Sequence, residues 1–95
     1  MKKINFKFQF LGLDGKPAKE IKSNEIIAED LASGNSGKPL RAAEIARKIY
    51  NHGTVELLSE DEDMVRNAIT NSRRMTDFFK AQALEVMEKA KTSNK

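Results

Sequence analysis

The sequence predicts an α+β fold: a small antiparallel sheet led by an N-terminal strand at about residues 3–10, packed against about four helices. Three observations predict it. Ile4, Phe6, Phe8 and Phe10 alternate with Asn5, Lys7 and Gln9, the period of two expected of a strand with one buried and one wet face. Beyond residue 22 the apolar residues recur at helical spacing, in segments bounded by capping residues, Gly and Pro. Between two of these segments Thr54 to Leu58 reads as a short extended stretch.

The leading strand reaches Phe10, where two apolar residues adjoin and the apolar phase shifts to Leu11 and Leu13. Gly12 within that shift predicts a bulge or strand end. Asp14-Gly15 is a turn signal, because Gly tolerates the positive φ that such turns require. A short return strand is expected around Ala18 to Ile21, kept to an edge by Pro17. Ser23 or Asn24 is suited to cap a first helix, with Glu25 in its first turn and Ile27, Ala28, Leu31 and Ala32 as its apolar face. Ser33-Gly34 ends it, and Gly34 to Pro39 has loop composition.

A second helix begins near Leu40, where Pro39 fits the first turn. Ala42, Ile45, Ala46, Ile49 and Tyr50 form its stripe, and Gly53 supplies its stop. Ser59 and Glu62 have capping-box spacing at the start of a third helix, whose buried face is Met64, Val65, Ala68 and Ile69. Asn71-Ser72 breaks helicity and Thr76 starts a fourth helix. Phe79, Ala83, Val86, Met87 and Ala90 make its main stripe, and Lys89 and Lys91 suit its C-terminus. Residues 1–91 are thus expected to form a single domain, with 92–95 a frayed tail.

Composition bounds what this domain does. The 95 residues hold 39% hydrophobic and 33% charged side chains, enough apolar content for a modest core and too much for a disordered tail. No Cys is present, which removes disulfides and thiolate zinc sites. Net charge is +3, too small an excess to imply nucleic acid by itself. Lys7 and Gln9 interrupt any signal-peptide core after Lys2-Lys3, and no apolar run approaches the ~18 residues of a membrane span. A soluble, cytoplasmic protein is expected.

No catalytic or cofactor-binding constellation is recognisable, and no metal set either. Gly34-Asn35-Ser36-Gly37-Lys38 lacks the first Gly and the hydroxyl residue of a phosphate loop, with Ala32 and Pro39 standing there. His52 sits alone at a helix end, where a helix dipole favours an imidazolium. Glu60 to Asp63 lacks the alternating ligands and central Gly of a calcium loop. It suits the positive end of a helix instead. Arg73, Arg74 and Lys80 are the candidate phosphate contacts, and Arg41, Arg47 and Lys48 add a second basic surface. Against a helix-turn-helix reading, Thr54 to Leu58 looks extended and the following helix begins with four acids that would face phosphates. The Phe6, Phe8 and Phe10 face is needed as core, which argues against base stacking.

Several segments in order are the Phe-rich strand ending in Leu11-Gly12-Leu13-Asp14-Gly15, Ala28-Glu29-Asp30-Leu31-Ala32-Ser33, and Ala46-Arg47-Lys48-Ile49-Tyr50-Asn51. Val55-Glu56-Leu57-Leu58-Ser59 and Lys80-Ala81-Gln82-Ala83-Leu84-Glu85 follow. This order resembles small, largely uncharacterised proteins of phages and integrated prophages. The resemblance implies a mobile-element context and a bacterial cytoplasm, and it carries over no site residue. The resulting expectation is a non-enzymatic protein-interaction or assembly module without cofactor. It would dock a second copy or another protein through a sheet edge or an apolar helix face. The alternative is a nucleic-acid-binding accessory or regulatory protein using Arg73, Arg74 and Lys80.

Overall fold

The computed structural model describes residues 2–18, 20–34 and 37–90. It is a small α+β domain in the order β1 (Lys2–Asn5), α1 (Ser23–Ser33), α2 (Pro39–His52), β2 (Thr54–Leu57), α3 (Ser59–Thr70) and α4 (Asp77–Lys89). The expected frayed tail at 92–95 lies outside the described residues, as does Lys91.

β1 pairs with β2 in antiparallel register, Lys2 opposite Leu57 and Ile4 opposite Val55. One face of this sheet is core: Ile4, Val55 and Leu57 are buried, and so is Phe6 just beyond the strand. The helices supply the rest through Ile27 and Leu31 of α1, Ile45 and Ile49 of α2, Val65 and Ile69 of α3, and Phe79, Ala83 and Met87 of α4. Phe8 and Phe10 are half-buried and stack on Phe79, with ring centroids 5.9 and 5.3 Å apart. The period-two alternation therefore continues through Phe10, as the sequence predicts.

The ladder itself is shorter than the expected strand at 3–10. It ends at Asn5 because β2 begins at Thr54, and the preceding Gly53 turns the chain back into α2 at φ 78°. Of the return strand expected at Ala18 to Ile21, Lys19 lies outside the described residues, and Ala18, Glu20 and Ile21 are in no strand. A single bridge joins Leu11 and Pro17, and Pro17 has no N–H with which to extend a ladder. The Asp14-Gly15 turn is present: Gly15 has φ 79°, its N–H reaches Gly12 O at 2.9 Å, and Asp14 Oδ1 accepts the Lys16 N–H at 3.0 Å.

The helix caps differ in detail from the expected ones. Lys22 is the N-cap of α1 and makes no side-chain bond, while Ser23 and Asn24 are buried and used for long-range contacts. Asn24 Nδ2 donates to the Ile49 and Tyr50 carbonyls at 3.2 and 3.0 Å, closing the C-terminus of α2 from outside. In α3 only half of a capping box forms, and one residue earlier than expected. Leu58 is the N-cap, and Asp61, not Glu62, accepts its N–H, at 3.2 Å. Ser59 is exposed at the first helical position. The Thr76 cap of α4 is as expected, its hydroxyl accepting the Phe79 N–H at 3.2 Å. Tyr50 and Ala32, expected on buried stripes, are exposed at the rim of the α1–α2 contact.

Candidate interaction surface

The leading segment is satisfied from one side. Phe6 N–H donates to Gly53 O at 2.7 Å, which makes this pair a hydrogen-bonded one. Antiparallel pairs alternate in type, so Ile4 and Val55 also bond each other, while Lys3 and Asn5 turn their N–H and C=O groups to the opposite edge. Gly53 N–H is engaged by Ile49 O within the α2 stop, so it cannot return a bond to Phe6. Ser23 takes that place: its Oγ lies 2.7 Å from Phe6 O and 2.7 Å from Phe8 O, and accepts the Phe8 N–H at 3.0 Å. Next, Ala18 N–H donates to Phe10 O at 2.9 Å. Val55, Gly53, Ser23 and Ala18 thus line one side of residues 4–10 in succession.

The other side is open. Among the described residues, the backbone groups of Lys3, Asn5, Lys7 and Gln9 have no backbone partner. One local bond is present, from Lys7 N–H to Asn5 Oδ1 at 2.9 Å. All four residues are exposed. This edge ends at Leu11, where α4 reaches it. Gln82 Oε1 accepts the Leu11 N–H at 3.0 Å and Gln82 Nε2 donates to Leu11 O at 2.8 Å. A side-chain amide there satisfies one residue of the edge as a neighbouring strand's peptide would.

Exposed apolar side chains occur towards this end. Leu13 stands 91% exposed in the braced turn and Leu11 before it is exposed, while on α4 the half-exposed Phe78 meets the Phe10 ring edge-on at 5.9 Å. Phe78, Gln82 and Val86 follow one another at i, i+4 along the flank of α4. Leu40 at the start of α2 is similarly exposed.

Arg73, Arg74 and Lys80 are not gathered into one basic face. Arg74 bridges Glu29 at 3.0 Å and Asp30 at 3.5 Å, holding the α3–α4 link on α1. Ser72 Oγ donates to the same Asp30. Lys80 Nζ donates to Thr70 O at 2.9 Å and closes the C-terminus of α3. Arg73 is exposed and makes no such contact among the described residues. On the second basic surface, Arg41 and Lys48 both reach Glu44, and Arg47 lies on the rim of the α1–α2 contact.

Each acid of the run Glu60 to Asp63 faces a basic residue. Glu60 meets Lys38, Glu62 meets Lys2 at 3.6 Å, and Asp63 meets Arg66 at 3.4 Å. Asp61 is buried and held by the Arg41 guanidinium in a two-point contact, with Nε–Oδ1 at 3.0 Å. The Arg41 hydrogen bonds, with that of the Leu58 N–H, hold the Asp61 carboxyl below the usual carboxylate range against the opposing effect of burial. No group of three potential metal ligands and no helix long and apolar enough to cross a membrane occurs among the described residues.

Sequence reading missed Ser23 and Gln82 as edge residues. Their partners lie 15–17 and 71 positions away, and neither shows a local pattern that points to them. Leu13 carried a signal, since an apolar residue between Gly12 and Asp14-Gly15 falls in a turn and not on a strand face. Comparison with protein-family models, curated proteins and solved structures finds no match.

Proposed function

We propose that this protein is a non-enzymatic interaction or assembly module that docks a protein through the open edge of its leading strand. The observation that carries the reading is the one-sidedness of residues 3–10: successive partners line one side, and four exposed residues on the other have peptide groups without a backbone partner, only the Lys7 N–H being bonded locally. Unpaired edges are templates for an added strand, with main-chain bonds supplying affinity and alternate side chains supplying specificity. Leu11 and Leu13, which follow the edge in the chain, add exposed apolar side chains at one end. The resemblance to phage and prophage proteins supports a mobile-element setting in a bacterial cytoplasm.

The test is a photo-reactive side chain placed in the living cell at Asn5 on the edge, with Arg47 on α2 as the control position. The reading expects a discrete protein–protein adduct from position 5 and none from position 47. Adducts to nucleic acid, or equal yields from both positions, would overturn it. The nucleic-acid alternative rests on Arg73, because Arg74 and Lys80 are engaged within the fold.

A further inference from the structure

We infer that the occupant of this edge is an extended segment of another protein in which acidic and apolar residues alternate. The inference rests on the reading of residues 3–9 as a docking edge and specifies what docks there. A strand added beside them would project its side chains alternately. One set would lie on the outer face beside Lys3, Asn5, Lys7 and Gln9. The other would lie on the inner face, beside Phe6 and Phe8 and along the α4 row of Phe78 and Val86.

The outer face is positive. Residues 2–13 contain three lysines and no acid. Lys2 points inward, to Glu62 and to Met87 O at 3.2 Å. Lys3 and Lys7 make no ion pair within 4 Å among the described residues. Glu56 stands opposite Lys3 across the ladder without an ion pair within 4 Å, and Lys7 has no acid opposite it. The inner face is apolar, with Phe78 39% exposed and Val86 half-buried. That the edge accepts an amide partner is shown within the chain by Gln82 at Leu11.

The same charges disfavour a second copy as occupant. Full antiparallel overlap of two such edges would gather both copies of Lys3 and Lys7 on one face with no acid among the paired residues. Like charges across neighbouring strands are destabilising. An alternating acidic and apolar segment meets the positive row with one set of side chains and the α4 row with the other.

The experiment selects binders to the full chain from a displayed library of random 12-residue peptides. Enriched peptides are then synthesised and measured by calorimetry and by amide exchange. The inference expects Asp or Glu at alternating positions and protection of the Lys3, Asn5 and Gln9 amides on binding. It also expects at least tenfold weaker binding to the Lys3→Glu/Lys7→Glu protein. A Lys3→Gln/Lys7→Gln protein, which removes the charge without reversing it, should lie between the two. Failure to enrich any peptide, enrichment without acidic alternation, or binding that leaves these amides unprotected overturns the inference. A concentration-dependent dimer that protects them overturns it in favour of self-pairing, while the docking-edge reading stands. Protection of these amides in the free monomer overturns both.

Discussion

The Ser23 hydroxyl accepts the Phe8 N–H at 3.0 Å and lies 2.7 Å from the Phe6 and Phe8 carbonyl oxygens. One buried side chain at the start of α1 thus continues the sheet edge where β2 has ended. Its single proton serves two carbonyls, so it fixes the path of the chain between β1 and the Asp14-Gly15 turn. Ser23→Ala leaves those peptide groups without this partner. The expected cost is about 1–3 kcal/mol, read as a lower urea midpoint. An unchanged midpoint would show that water replaces the hydroxyl without loss.

Gly53 sits at φ 78° and hands the chain from α2 to β2. A Cβ there would lie 2.8 Å from Lys7 Cβ, closer than side-chain carbons approach. Gly53→Ala combines backbone strain with that clash and is expected to cost about 1–3 kcal/mol. Gly15→Ala has the same φ but open space around it, so it should cost less. Thermal unfolding of the two variants side by side checks the order. Equal losses would mean that φ alone sets the cost.

Acid should weaken the α2–α3 contact. Arg41 holds the Asp61 carboxyl below its ordinary range, so folding favours the ionised form. The contribution is fully present above the unfolded pKa of about 4 and is lost as pH falls through the lower folded value. Asp61→Asn should therefore cost about 1–3 kcal/mol at pH 7 and less at pH 2–3. Unfolding free energies across pH 2–7 for both proteins test this. A penalty independent of pH would contradict it.

The basic candidates should separate on mutation. Arg74→Ala loses contacts to Glu29 and Asp30 and should lower stability, by about 0.5–1.5 kcal/mol given its half-exposed setting. Arg73→Ala should leave stability unchanged. Titration with duplex and single-stranded DNA at several salt concentrations should give weak binding at physiological salt. A micromolar complex with a steep salt slope, lost in an Arg73/Arg74 double variant, would favour the nucleic-acid reading instead.

How far the sequence could be read follows from the range of each interaction. The alternation at Ile4 to Phe10 is a local pattern, and it identified the buried face correctly. Four helices followed from their spacing, with the Thr76 cap and the Gly53 stop in place. Pairing was not legible, because ladder length depends on where β2 begins, about fifty residues away. Ser23 and Asn24 have the chemistry of helix caps, but tertiary contacts recruit them to Phe8 and to the α2 terminus. The capping frame at Leu58 to Glu62 was ambiguous by one residue, and Arg41, twenty positions earlier, draws Asp61 inward and selects it. Gln82 is one polar residue on a helix flank, and only the folded chain brings it to Leu11.

Amide hydrogen exchange on the free protein tests the open edge most directly. The account predicts alternation along one short segment: slow exchange at Ile4, Phe6 and Phe8, whose N–H groups face Val55, Gly53 and Ser23, and fast exchange at Lys3, Asn5 and Gln9. Light scattering in the same buffer should report a monomer. Uniform slow exchange at all six amides in a strict monomer would mean that the chain covers both sides of its leading strand, and would contradict the account.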